Sequence, residues 1–376
     1  MTSLVAPIEL LRPARIDFGP GTLAGLGAYM AERGYARPFV VADPFNAARV
    51  DQLGLRGRVT VFGEVKPEPD APNLDKALAL VAEGRPDVVI GFGGGSAMDL
   101  AKLVAVLPGS GQTLKDVVGP EKVLGRTVGL IQIPTTSGTG SEGGTRSLVT
   151  DPETKNKLAV QSRHMLADLA IVDPDLTMTV PASVTAATGV DAMAHCVEAF
   201  TSKKAHPIID LYALEGARLV GRYLARAVAD GSDREARAGL SLASLYGGFC
   251  LGPVNTTAGH AVAYPLGTRH HIAHGLACAL IFPHTFAFNA QAVPQKTRLV
   301  LEALGLTGAT TPDAVFASSY RFCADLGVEM RLSALGVPES DFETMATEAH
   351  VIRRLLDNNP RDVSRGDILA IYAKAA

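Results

Sequence analysis

The stretch DVVIGFGGGSAMDLAKLVAVL, residues 87–107, decides the fold. Its first part is a short apolar run rich in β-branched residues, which reads as a buried strand. Five residues later, after Gly91-Phe92-Gly93-Gly94-Gly95, apolar residues recur at helical spacing through SAMDLAKLVAVL. Strand, glycine turn and helix follow in immediate succession, the start of a βαβ unit. Outward from it the same alternation continues. PFVVAD (38–43) and TVGLIQIPTT (127–136) are further apolar runs that end in turn residues, and NLDKALALVAE (73–83) is helical. Such alternation predicts a parallel sheet covered by helices on both faces. KLAVQSR (157–163) and LAIVDP (169–174) read as further strands closing this region.

Beyond Pro181 the character changes. ASVTAATGVDAMAHCVEAF, PIIDLYALEGARLVGRYLARAVA and DREARAGLSLASLYGGFCLG carry helical periodicity and few β-branched runs. At 376 residues the chain exceeds what one hydrophobic core usually serves. The expectation is an α/β domain over residues 1–180 and an all-α domain over 181–376. They are expected to pack closely, with a small-ligand cleft between them.

Composition narrows the function classes. A hydrophobic fraction of 47% against 19% charged is globular rather than disordered. A net charge of -3 gives no reason to expect nucleic acid or an anionic membrane as partner. The four cysteines (Cys196, Cys250, Cys278, Cys323) form no C-x-x-C pair and read as reduced, buried thiols. The N-terminal segment shows neither a signal-peptide core nor a cleavage site, and no apolar stretch reaches spanning length. A cytoplasmic protein is expected.

Two polar loops follow strands. Glycines at 91–95 let backbone approach a pyrophosphate, and N–H groups at the start of the following helix attract its charge. Thr135-Thr136-Ser137-Gly138-Thr139-Gly140-Ser141-Glu142 offers hydroxyls for phosphate, ribose or amide groups, or simply caps a helix. Both stand at strand C-terminal ends, where open α/β sheets bind ligands. Asp43 ends its strand before Pro44. It either accepts hydrogen bonds from a ribose or serves the turn.

Asp191 and His195 stand four apart in a helical segment, so both face one side. Five of the nine histidines then fall at His260, His270, His271, His274 and His284. A helical Asp-x-x-x-His with a downstream histidine cluster supplies one anionic and several neutral donors, suited to Fe²⁺ or Zn²⁺. The other reading is satisfied polar histidines and a surface aspartate.

Taken together, DFGPGTLAGLG, GFGGGSAMDLAK, IPTTSGTGSE, LAIVDPDLTMTVP, ATGVDAMAHCVEAF, GHAVAYPLGTRHHIAHGLACALIFPH and DNNPRDVS occur in an order and spacing that resembles the iron-containing (group III) alcohol dehydrogenases over nearly the whole chain. The resemblance implies a Rossmann-like nucleotide-binding domain followed by an all-α domain, the dehydroquinate synthase-like architecture. It implies Fe²⁺ on Asp191, His195, His260 and His274, and the cofactor pyrophosphate on Gly93, Gly94, Gly95 and Ser96; a ribose-binding carboxylate at Asp43 would repel a 2′-phosphate and so favours NAD over NADP. It further implies Asp43 at the adenosine ribose, Thr135, Thr136 and Thr139 along the cofactor, and Asp99 and Lys157 near the nucleotide. Histidine is common at the position of His271, implying either a proton relay or a structural role.

Three positions depart from the family pattern. Tyr264 stands four residues after His260, where many members have histidine. It either relays a proton or packs. Arg146 and Arg269 replace residues that are usually uncharged, which suggests an anionic group on the substrate unless both arginines pair with acids or solvent. The expected activity is NAD-dependent interconversion of a small alcohol and its aldehyde or ketone, by a homo-oligomer (dimer). Alternatives are an aldehyde or maleylacetate-type reductase, a dehydroquinate synthase-like lyase and a non-catalytic nucleotide-binding protein.

Overall fold

The structure is a computed structural model and describes residues 4–376. The chain divides into two compact units. One comprises Leu11–Thr136 and Gly140–Met178; the other comprises the N-terminal residues up to Leu10, Ser137–Thr139 and Thr179–Ala376.

The first unit holds nine strands: β1 (Arg15–Phe18), β2 (Pro38–Ala42), β3 (Thr60–Phe62), β4 (Val88–Gly93), β5 (Gly119–Pro120), β6 (Gly129–Pro134), β7 (Arg146–Thr150), β8 (Lys157–Gln161) and β9 (Leu169–Val172). Six of them form an all-parallel sheet in the order β1-β9-β6-β4-β2-β3. Every residue of β2, β4, β6 and β9 is buried, as continuous apolar runs require when helices cover both faces. The α/β architecture read from the sequence is the architecture observed. Two assignments differ in detail. KLAVQ, as β8, leaves the main sheet and pairs antiparallel with β7 in a second sheet ordered β5-β8-β7. LAIV, as β9, lies inside the main sheet between β6 and β1. Strands β1, β3 and β7 are three to five residues long, too short for their periodicity to be recognised.

From β2 the chain goes to β3 on one side and to β4 on the other. This reversal is the switch point at which open α/β sheets bind ligands, beyond the carboxyl ends of the strands. Helices α1 (Leu26–Arg33), α2 (Pro44–Ala47), α3 (Ala71–Gly84), α4 (Gly95–Val106) and α5 (Leu114–Val117) complete the unit. Buried Asp173 closes it at β1, accepting from Gly21 N (3.1 Å), Leu23 N (3.0 Å) and Asp175 N (3.1 Å). Arg126 grips Asp168 through two parallel bonds of 2.7 and 2.8 Å, while Asp168 also accepts from Leu130 N. Fork-to-carboxylate geometry of this kind fixes orientation as well as supplying energy.

The second unit is helical: α6 (Ala182–Thr201), α7 (Pro207–Ala229), α8 (Arg234–Leu251), α9 (Ala258–His270), α10 (His274–Asn289), α11 (Pro294–Ala303), α12 (Pro312–Asp325), α13 (Phe342–His350), α14 (Arg353–Leu356) and α15 (Arg365–Lys374). Helix α6 is buried on nearly all sides from Thr185 onward, so any polar residue on it must find a partner inside the protein. Buried Arg237 on α8 ties itself to the start of α6, through Thr185 Oγ1 (2.8 Å) and Val180 O (3.0 Å). The four cysteines are buried and unpaired. Among the described residues no helix is long and apolar enough to cross a membrane.

Buried His284 finds no hydrogen-bond partner among the described residues. Both ring nitrogens of His284 lack hydrogen bonds, its ring lies 4.9 Å from that of Phe316, and burial pushes its pKa down to about 4. Between about pH 6.5 and 4 the unfolded chain binds a proton at this site that the folded chain refuses. Stability is therefore complete above that window and is lost as pH falls through it, by on the order of 3 kcal/mol from this group. His284→Leu is expected to flatten the acid limb of a Tm-versus-pH curve relative to wild type. Parallel curves for the two proteins across that window would contradict this account.

Candidate metal centre and nucleotide loops

Asp191 and His195 lie on one face of α6, one turn apart, and Glu198 continues that face. His260 stands in the first turn of α9 and His274 opens α10. The connection between these helices turns sharply at His271, whose φ is 56°. There His271 N bonds Gly267 O and Ile272 N bonds Leu266 O, at 3.1 and 3.2 Å. The turn sends His274 back toward His260, with ring centroids 5.4 Å apart, and His195 stacks on His260 at 4.7 Å.

The four side chains converge. One ligand atom from each lies within 4.8 Å of all the others. Asp191 Oδ1 is 3.6 Å from His195 Nε2, 3.4 Å from His260 Nε2 and 3.6 Å from His274 Nε2. A tetrahedral ion with bonds of about 2.1 Å separates its donors by about 3.4 Å. Asp191, His195 and His260 are buried, whereas the His274 side chain is 25% exposed, so the set is open on that side.

The polar accounting bears on what the four side chains can hold. His260 Nδ1 meets Glu198 Oε1 at 2.7 Å, and the same carboxylate accepts from Thr257 N (2.6 Å) and Thr257 Oγ1 (3.0 Å). With Nδ1 held by Glu198, Nε2 of His260 points at Asp191 Oδ1; burial pushes this imidazole down, but Cys278, Glu198 and Asp191 outweigh it and raise it well above its ordinary value. Both atoms are buried and neither has a hydrogen-bond partner. A buried carboxylate oxygen and a buried ring nitrogen facing each other call for a positive charge between them, a proton or a metal ion. One carboxylate and three imidazoles are also the donor chemistry of Fe²⁺ and Zn²⁺ sites. The residues therefore fit a divalent metal.

Electrostatics act in the same direction. Burial pushes the Asp191 carboxyl up, but the imidazoles of His195, His274 and His260 outweigh it and hold it well below the usual carboxylate range. Burial lowers His195 to about 4, so its ring is neutral at pH 7 and has a lone pair to give. Glu198 had no place in the reading of the sequence. Its signal was there, seven residues after Asp191 and three after His195 on the same helical face. Gly259 lets α9 close on it: a Cβ at this position would lie 2.5 Å from Glu198 Oε1.

Other residues singled out in the helical unit lie near this centre or apart from it. Tyr264, one turn after His260, is buried, with its ring 6.5 Å from that of His260 and 5.9 Å from that of His274. Burial pushes its phenol up, but Arg354 and the two imidazoles outweigh it and lower it. Arg269 Nη1 bonds Glu348 Oε1 at 2.7 Å, the acid-paired arrangement weighed in the sequence reading. His270 Nε2 lies 3.3 Å from Asp341 Oδ2. His271 is exposed at the helix end.

In the α/β unit the carboxyl ends of β2, β4 and β6 assemble the predicted loop residues. Asp43 caps α2, its Oδ1 accepting from Phe45 N (3.0 Å) and Asn46 N (3.1 Å), and Asn46 Nδ2 donates to its Oδ2. The same Asn46 amide reaches Thr135 Oγ1 at 3.3 Å, and Thr135 N bonds Gly93 O at 2.9 Å. Gly93 has φ 156°, and a Cβ on it would meet Ala97 Cβ at 2.9 Å and Asp43 Oδ2 at 3.0 Å. A Cβ on Gly94, the N-cap of α4, would lie 3.2 Å from Thr136 Oγ1. Gly95 and Ser96 form the first turn of that helix. Backbone N–H groups at a helix start, unobstructed by side chains, make an anion cradle.

Asp99 and Lys157 are engaged inside the unit. Asp99 accepts from Ser141 Oγ (2.5 Å) and Leu148 N (2.8 Å), and Lys157 pairs with Glu68 and donates to Thr150 Oγ1 at 3.0 Å. Arg146 Nη2 bonds Gln161 Oε1 at 3.1 Å. The backbone oxygen of Arg146 accepts from the buried Lys102 Nζ at 2.7 Å, and Lys102 also donates to Ser141 Oγ at 2.7 Å. Thr139 belongs with the helical unit.

Known proteins agree with this picture. Residues 13–174 match the model of the iron-containing alcohol dehydrogenases and residues 185–376 that of the C-terminal part of the Fe-containing alcohol dehydrogenase family. A relative named long-chain-alcohol dehydrogenase 1, from Geobacillus thermodenitrificans (strain NG80-2), is 38% identical over 385 residues, covering 96% of each chain. Among solved structures, a 1,3-propanediol oxidoreductase superposes with a TM-score of 0.93 at 31% identity, over 99% of this chain and 100% of that one. A sulfoacetaldehyde reductase from Bifidobacterium kashiwanohense, solved in complex with NAD+, superposes with a TM-score of 0.87 at 29% identity, over 99% of each. The chain belongs to the iron-containing alcohol dehydrogenase family.

Glu198 is the partner that orients His260, and losing such a partner typically costs 10–100-fold in metal affinity. Glu198→Gln is expected to weaken Fe²⁺ or Zn²⁺ binding by about that factor, measured by competition with a chromophoric chelator. Wild-type affinity in this variant would remove Glu198 from the centre.

Proposed function

We propose that the protein is an NAD-linked, Fe²⁺-dependent alcohol dehydrogenase that interconverts a small alcohol and its aldehyde or ketone. The observation that carries this reading is the convergence of Asp191, His195, His260 and His274, with Asp191 Oδ1 and His260 Nε2 buried and unpartnered. An ion held there supplies Lewis acidity toward the substrate oxygen, and nicotinamide supplies the hydride chemistry.

In this reading the chain's own residues bind, orient and move protons. Gly93, Gly94, Gly95 and Ser96 take the pyrophosphate at the start of α4, where closely approaching backbone and the helix dipole favour an anion. Asp43, at the switch point between β2 and β4, keeps a negative charge beside the ribose and disfavours a 2′-phosphate, hence NAD over NADP. Thr135, Thr136 and Thr139 line the cofactor. Glu198 holds the tautomer of His260. His271 passes the proton to water from its exposed position at the end of α9. Family membership favours oxidoreduction over the lyase alternative.

The test is NADH absorbance with the anaerobic, Fe²⁺-loaded protein and a panel of C2–C6 alcohols and aldehydes. NAD should support turnover and NADP should support it at least about tenfold less well, since the Asp43 charge opposes the extra phosphate. Chelation should abolish turnover and Fe²⁺ should restore it. Failure to change the NADH level with any alcohol or aldehyde would end the reading. His271→Gly keeps the left-handed turn and removes the imidazole. With a proton relay, kcat falls by on the order of 10²-fold, whereas an unchanged kcat confines His271 to the turn.

A further inference from the structure

Beside the metal centre stands a cation with no acid to balance it. Arg354, on α14, places its Cζ 5.6 Å from the centroid of the Tyr264 ring. Its Nη1 is buried and has no hydrogen-bond partner, and among the described residues no carboxylate forms an ion pair with it. The arginines around it are committed elsewhere. Arg353 pairs with Asp357, Arg365 with Glu343 and Arg269 with Glu348, while Arg361 lies over Phe288. A partly buried guanidinium loses hydration, and its contact with the Tyr264 side chain, a hydrogen bond included, recovers only part of it. The segment carrying Arg354 is not loose. Asn358 Nδ2 holds Arg354 O at 2.9 Å and Thr256 O at 3.2 Å, and Asn289 and Asn359 exchange reciprocal amide bonds of 2.8 and 2.9 Å. Through Tyr264 the guanidinium stands one aromatic ring away from His260 and His274.

We propose that Arg354 is the specificity residue of this enzyme, recognising a carboxylate or sulfonate at the far end of a short aldehyde or alcohol. The inference rests on the dehydrogenase reading, because it takes the metal centre as the point where the other end of the substrate reacts. Tyr264 then serves as the platform that holds the guanidinium side-on. The guanidinium supplies planar donors matched to an acid group, which a neutral substrate leaves unused. Arg269, already held by Glu348, has less charge to offer.

The experiment compares butanal with 4-oxobutanoate, and measures thermal protection by ethanesulfonate, a non-reacting anion, in the metal- and NADH-loaded protein. Wild type should prefer 4-oxobutanoate and gain stability with ethanesulfonate. Arg354→Met should lower kcat/KM for 4-oxobutanoate 10–100-fold more than for butanal, mainly through KM, and lose the protection. Arg354→Lys should regain part of both. Equal losses on the two aldehydes, or ethanesulfonate protection that survives in Arg354→Met, would overturn the proposal while leaving the dehydrogenase reading intact. Protection that depends on Arg354 in a protein that turns over no alcohol or aldehyde would sustain the anion site and remove the dehydrogenase reading instead.

Discussion

A single carboxylate in a dry helix sets the terms for the helical unit. Asp191 is buried on α6 among residues that are themselves almost all buried, and its Oδ1 faces the Nε2 atoms of His195, His260 and His274 at 3.6, 3.4 and 3.6 Å. An isolated carboxylate in such a place would take up a proton or unfold its surroundings. Here three imidazoles face it, and Glu198 and Thr257 fix the outermost of the supporting bonds. The arrangement is satisfied when a cation occupies it and is otherwise a concentration of unmet polarity. The close approach of α9 at Gly259 and the sharp turn at His271 are intelligible as consequences of bringing three helices to one point.

The α/β unit solves a different problem by a different route. Its strands are buried on both faces, so polar function is confined to the strand ends. Asp43, Asn46, Gly93 and Thr135 form a connected set there, each held by hydrogen bonds or close packing to the next. The set gathers where the strand order reverses, because only there do adjacent strand ends diverge and leave a crevice. The position of Asp43 before Pro44 suits either a ribose partner or a turn residue. The structure shows it capping α2, and its charge remains beside the glycine turn while it does so.

The departures from the family pattern have different surroundings. Tyr264 replaces a common histidine, and Arg354 lies against it. Arg269, by contrast, is met by an acid, and Arg146 bonds a neutral amide within its own unit. Substituting side chains around a centre that keeps its metal donors is the economical way to change what an oxidoreductase accepts, since the redox step belongs to the bound groups and selectivity to the walls.

By itself the sequence determined the alternation of buried strands and helices, the change to an all-helical half, the glycine turn and the pairing of Asp191 with His195. Each of these is written in local spacing, with a period of two or 3.6 residues or a turn of a few. Local spacing left open which of five nearby histidines join that pair, which the family resemblance named as His260 and His274 and the fold brings together; tertiary structure alone decided that Glu198 supports His260, that β8 leaves the main sheet and that Arg354 faces Tyr264 rather than an acid. These contacts join residues tens of positions apart. Their partners are chosen by how helices and strands pack, and no local periodicity encodes that choice.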